Sequence, residues 1–145
     1  MAAYRQSYST TVAATPEECF GVLVDFERYP AWSSPITSCR VLTRGEDGLP
    51  KQVAFELDMT LKTVRYTLEY QFDPPHGGDW SLVEGDVAGV EGSYRFEPDG
   101  GGVKATCTQA IDVGFWVPGF LKRTFEQRAL ADSVEEFRRA VEARP

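Results

Sequence analysis

The sequence predicts an α+β fold in which a seven-stranded antiparallel sheet curls around one long C-terminal helix. Three observations predict it. Residues 120–142 run without Pro or Gly, and at 100° per residue Phe125, Ala129, Leu130, Ser133, Val134, Phe137, Ala140 and Val141 share one broad face. Upstream, two segments alternate strictly, with Val53, Phe55, Leu57 and Met59 on one side of the first and Val64, Tyr66, Leu68, Tyr70 and Phe72 on one side of the second. That is the pattern of half-buried antiparallel strands. The whole chain then reads in the order β-α-α-β-β-β-β-β-β-α. A sheet with one apolar face and a single long helix buries both surfaces by wrapping one around the other.

Each element has its own signal. Residues 4–13 alternate weakly, with Tyr4, Tyr8 and Val12 in phase, and read as the first strand. Thr15-Pro16-Glu17-Glu18 is a helix start: Thr15 caps, Pro16 takes the first helical position, and Glu18 stands three residues after the cap. Phe20, Leu23 and Val24 give this helix its buried side. Residues 25–34 hold a second short helical turn, broken by Pro30 and Pro35. Strands follow at 36–44, 52–59, 64–72, 80–86, 90–97 and 103–113, with Gly-rich turns between several of them. Gly85, Gly89 and Gly92 lie inside strands and read as bulges that bend the sheet. Pro118 and Gly119 open the last helix. Its outer face offers the charge pairs Lys122–Glu126, Arg128–Asp132, Glu135–Arg139 and Arg138–Glu142.

Composition narrows the function classes. The 145 residues suit one domain spanning 1–145, long enough to bury roughly 70% of the unfolded surface without disulfides or metal. A net charge of −7 argues against nucleic acid and anionic membrane surfaces, both of which need clustered Lys and Arg. No apolar run approaches the ~20 residues of a membrane span, so no integral membrane association is expected. Cys19, Cys39 and Cys107 are odd in number, widely spaced and form no C-x-x-C. They read as free apolar residues in a reducing compartment, and with no signal-peptide pattern the expected location is cytoplasmic.

The chemistry on offer is sparse. His76, the one histidine, sits in the turn Pro74-Pro75-His76-Gly77-Gly78, which removes a Ser-His-Asp triad and most zinc sites. Gly100-Gly101-Gly102 precedes a strand rather than a helix, so it is a turn and not a phosphate loop. No metal and no cofactor are expected. The positive signal is polar residues in phase with apolar faces. Glu84 aligns with Trp80 and Leu82, Gln109 with Cys107 and Ile111, Arg40 with Ile36 and Leu42, and Glu126 falls within the helix's apolar sector. Tyr66, Tyr70 and Tyr94 add phenols, while Ala129, Ser133 and Ala140 keep the middle of the helix stripe small. Apolar walls with a few placed polar groups are the character of a ligand pocket. Its candidate wall residues on the strands are Phe55, Leu57, Tyr66, Leu68, Glu84, Tyr94, Cys107 and Gln109. Those on the helix are Phe125, Glu126, Ala129 and Ser133.

One stretch carries a family resemblance. Phe20-Gly21-Val22-Leu23-Val24-Asp25-Phe26-Glu27-Arg28-Tyr29-Pro30-Ala31-Trp32 resembles the helix, Asp, then Tyr-Pro-aromatic signature of the START-like superfamily. Within it, the chain is most similar to the polyketide cyclase/dehydrase and lipid-transport group, which includes coenzyme Q-binding START-domain proteins. The segments Trp80-Ser81-Leu82-Val83-Glu84-Gly85, Gly92-Ser93-Tyr94-Arg95-Phe96 and Pro118-Gly119-Phe120-Leu121-Lys122-Arg123 are similar to patterns in bacterial members. The resemblance implies a helix-grip fold, as in START and Bet v 1-like proteins, with a cavity between sheet and long helix and its mouth near the start of that helix. It implies binding or carrying of a hydrophobic small molecule: a lipid, an isoprenoid quinone or a polyketide. Two alternatives stay open. One is a polyketide aromatase/cyclase or dehydratase using Glu84, Tyr66 or Arg40 as acid, base or carbonyl-polarising groups. The other is a protein-interaction module acting on a ribosomal or other protein partner. The oligomeric state is left open.

Overall fold

The computed structural model describes residues 5–58, 62–112, 114 and 119–144, and the side chains of all of these except 119–126. The described residues form β1 (Arg5–Val12), α1 (Pro16–Val24), a 3-10 turn (Phe26–Arg28), α2 (Tyr29–Trp32), β2 (Ile36–Arg44), β3 (Pro50–Asp58), β4 (Thr63–Asp73), β5 (Gly77–Gly85), β6 (Gly89–Asp99), β7 (Gly102–Asp112) and α3 (Gly119–Glu142). The strands make one antiparallel sheet in the order β1-β7-β6-β5-β4-β3-β2. It is therefore a meander from β2 to β7, with β1 added on the β7 edge. The helix α3 lies against β1 and β7 and touches α1 and α2 at its far end.

Local rules explain the element boundaries. Thr15 and Glu18 close a capping box: the Glu18 amide donates to Thr15 Oγ1 at 3.1 Å, and the Thr15 amide donates to Glu18 Oε1 at 3.0 Å. The helix ends at Asp25, and the Tyr29 hydroxyl donates back to the Leu23 carbonyl, tying the Tyr-Pro turn under α1. His76 is exposed in the turn between β4 and β5.

The sheet's concave face and one stripe of α3 share a core. Val53, Phe55, Val64, Leu68, Tyr70, Trp80, Tyr94, Phe96, Val103 and Cys107 point inward from the strands, and Leu130, Val134, Phe137 and Val141 meet them from the helix. The centre is aromatic. Phe137 stacks on Phe96 with centroids 5.7 Å apart and planes at 3°, and it packs on Tyr94 at 4.8 Å. Such pairs add about 0.5–1.5 kcal/mol each beyond area burial.

The buried stripe of α3 is narrower than the eight-residue face expected from its periodicity. The buried positions 130, 134, 137 and 141 are spaced four, three and four apart, while Ala129 is exposed and Ser133 and Ala140 are half-buried. A polar clasp on the opposite flank accounts for this rotation. Tyr8 donates to Glu135 Oε2 at 2.7 Å, Arg138 Nε donates to Glu135 Oε1 at 2.6 Å, and the Ala13 amide donates to Glu142 Oε2 at 2.9 Å. These contacts hold one flank of α3 on β1. Ala129 falls about 110° from the centre of the buried stripe, on the other flank. The hydrogen bonds from Arg138 and Tyr8 lower the Glu135 carboxyl below its usual range, and the bond to Glu135 raises the Tyr8 phenol. The expected Glu135–Arg139 pair is thus replaced by Glu135–Arg138, the Arg138–Glu142 pair forms at 2.9 Å, and Arg128 makes no ion pair with Asp132. The Lys122–Glu126 pair lies outside the described side chains.

Candidate functional site

Two bulges decide which polar residues face inward. On β5, Leu82 opposes Leu68 and Glu84 opposes Thr67, so Val83 is the extra residue. Beyond it the alternation inverts. Glu84 therefore stands on the outer face with Thr67, not on the inner face with Trp80 and Leu82. On β2 the register slips at Thr37 and again at Leu42. Cys39 and Val41 turn inward, and Arg40 turns out opposite Ala54. A one-residue slip moves a side chain to the other face because the strand period is two. The two large apolar side chains left exposed among the described residues, Leu42 and Val83, are the bulge residues themselves. Glu84 and Arg40 now border a shallow outer depression of about 540 Å³ with Ala54, Glu56, Arg65 and Thr67. There Arg65 Nε donates to Glu56 Oε1 at 2.7 Å.

The remaining strand candidates converge on the concave face. Phe55 opposes Tyr66 across β3 and β4, with ring centroids 5.6 Å apart. Tyr94 opposes Cys107 across β6 and β7. Phe55, Leu68, Tyr94 and Cys107 are buried, whereas Leu57, Tyr66 and Gln109 are half-buried. By register Leu57, Tyr66, Leu82 and Ile111 lie toward the same end of the sheet, and Phe72 is half-buried toward the other. The opposite end, around Phe26, Tyr29, Phe96 and Phe137, is closed by packed rings. On α3, Ser133 flanks the buried stripe and Ala129 is exposed. Phe125 and Glu126 lie outside the described side chains.

The inner polar groups are phenols and thiols. Burial pushes the Tyr66, Tyr70 and Tyr94 hydroxyls above the ordinary phenol range. They are neutral donors at any ordinary pH. Burial also pushes the Cys19, Cys39 and Cys107 thiols up to about 12. The thiolate is the reactive species, so the folded protein is expected to leave a disulfide reagent such as DTNB unreacted at pH 8. All three thiols should be released in denaturant. Rapid labelling of any one of them in native buffer would contradict their burial.

Sequence reasoning passed over Gln6. It stands in phase with Tyr8 and Val12 on β1, opposite Gln109 of β7. That alternation was the available signal.

The architecture is that of helix-grip proteins. The chain belongs to the polyketide cyclase / dehydrase and lipid transport family, whose model matches residues 5–142. The family is thus one that handles hydrophobic small molecules, as lipids to transport or as polyketides to cyclise. Among solved structures the chain is similar to a START superfamily protein from Mycobacterium smegmatis, with 23% identity, a TM-score of 0.86, and 95% of this chain and 97% of that one covered. It is also similar to the ZhuI aromatase/cyclase from Streptomyces sp. R1128, with 16% identity, a TM-score of 0.82, and coverage of 96% and 93%. A third is Ara h 8.0201, with 14% identity, a TM-score of 0.68, and coverage of 98% and 99%. At these identities the likeness is one of fold. No curated protein matches the chain in sequence. No helix among the described residues is long and apolar enough to cross a membrane.

Proposed function

We propose that this protein binds or carries a hydrophobic small molecule between the concave face of the sheet and α3, a lipid, an isoprenoid quinone or a polyketide. The observation that carries the reading is the set of inward phenols, Tyr66, Tyr70 and Tyr94, set in the apolar concave face. Neutral phenol donors within an apolar wall suit a ligand that is mostly hydrocarbon with a few oxygens. Phe55, Leu57, Leu68 and Cys107 supply the apolar wall. Burying hydrocarbon there is worth ~25 cal/mol per Å², so affinity needs few polar contacts. The orientation of Glu84 and Arg40 favours this reading over cyclase chemistry. Two of the three groups considered for such work, Glu84 and Arg40, stand on the outer face, and the third, Tyr66, is a neutral phenol that can donate a hydrogen bond but is a poor base.

A neutral fluorescent probe, N-phenyl-1-naphthylamine, tests the reading. Saturable one-to-one binding is expected. Leu57→Trp, at a half-buried inner position, should weaken it about tenfold or more while the melting temperature stays near that of the wild type. An absence of saturable uptake by the wild-type protein would refute the proposal.

A further inference from the structure

Among the described residues, one buried side-chain polar atom stands without a hydrogen-bond partner, and it is Gln6 Nε2. Native structures hold few such atoms, because an orphaned buried donor is costly. Gln6 lies on the concave face of β1 directly opposite Gln109 of β7. On its helix side a hollow of about 400 Å³ opens between β1 and α3, bordered by Arg5, Gln6, Ser7, Tyr8, Gln127 and Leu130. Tyr8 is not available to satisfy it, since its hydroxyl is committed to Glu135. The hollow is therefore bordered by the carboxamide donor of Gln6, a second carboxamide at Gln127, and an apolar wall at Leu130.

We infer that Gln6 is the specificity-determining residue of a hydrogen-bonding subsite between β1 and α3, where its carboxamide N–H donates to a carbonyl oxygen on an otherwise apolar ring compound. The inference rests on the proposed binding function, and it adds the ligand's chemistry: a neutral ketone or quinone-type oxygen at the β1 end of the space. A carboxylate ligand fits less well. Glu135 and Glu142 lie along the same β1–α3 seam, where Arg138 is engaged by both, and Arg5, the cation bordering the hollow, is paired with Glu91.

Fluorenone and fluorene provide the test, since they share a skeleton and differ by one carbonyl. Wild-type protein is expected to bind fluorenone about three- to tenfold more tightly than fluorene. Gln6→Met, which keeps the volume and removes the donor, should bring the two affinities together by weakening fluorenone alone. Gln6→Glu, which presents acceptors where the donor was, should discriminate against fluorenone. If Gln6 were merely a structural orphan, Gln6→Met would raise the melting temperature and leave the fluorenone preference intact. That result would overturn the assignment. So would equal affinities in the wild type, or no fluorenone uptake by protein that still takes up N-phenyl-1-naphthylamine. Failure of all three compounds to bind would instead overturn the binding function together with the subsite.

Discussion

Replacing Phe137 with alanine is expected to destabilise the protein by about 3–5 kcal/mol, the range for emptying a large aromatic site in a packed core. Phe137 is 1% exposed and joins the layers of the fold. Its ring stacks on Phe96, packs on Tyr94 at 4.8 Å, and meets Trp32 of α2 edge-on at 6.0 Å. These neighbours come from β6 and the Tyr-Pro-Ala-Trp turn, which are anchored separately, so they cannot collapse together into the gap. A protein of this size has about 5–15 kcal/mol in total, and one substitution would remove a large part of it. Urea denaturation followed by tryptophan fluorescence measures the loss. A change below about 1 kcal/mol would mean that α3 does not hold the sheet through this ring.

Much of the fold was legible because its signals are local. The capping box at Thr15 depends on four consecutive residues, and the expected strand at 36–44 coincides with β2. Alternation alone gave the inward direction of Phe55, Tyr66, Leu68, Tyr94 and Cys107, since β3, β4, β6 and β7 keep their phase through those positions. Glu84 and Arg40 were misdirected for one shared reason. Strand parity counts residues, and a bulge adds one without changing the chemistry of its neighbours. Val83 and Leu42 look like ordinary strand residues in sequence; only the cross-strand register reveals them as the extra ones. Ala129 was misplaced by a different cause. Periodicity defines a helix face, but its rotation is set by the partner, here the Tyr8–Glu135–Arg138 clasp on β1. Of the three glycines expected to mark bulges, Gly85 alone adjoins one. Gly85 follows the β5 bulge, Gly92 lies beneath the Trp80 indole, and Gly89 stays in regular register with Asp112.

Gly85→Ala is the sharpest probe of that bulge, and it should cost about 3 kcal/mol or more from backbone strain and overpacking combined. Gly85 holds φ at +150°, a region that side-chain-bearing residues rarely occupy. An added Cβ would lie 2.4 Å from the Tyr66 Cβ and 2.6 Å from the Arg65 carbonyl oxygen. Neither neighbour is the flexible end of a side chain, so β4 itself would have to move. Gly48→Ala is the control: its φ is +82°, yet nothing stands within 4 Å of the new Cβ. It should incur strain alone, of order 1 kcal/mol. The difference between the two variants in urea isolates the steric part. Because Tyr66 is the residue displaced, Gly85→Ala should also disturb probe binding in whatever fraction remains folded, whereas Gly48→Ala should not. Equal stability losses in the two variants would show that β4 yields to the methyl group. The bulge would then be a tolerant hinge, and it would not be what fixes Tyr66 on the concave face.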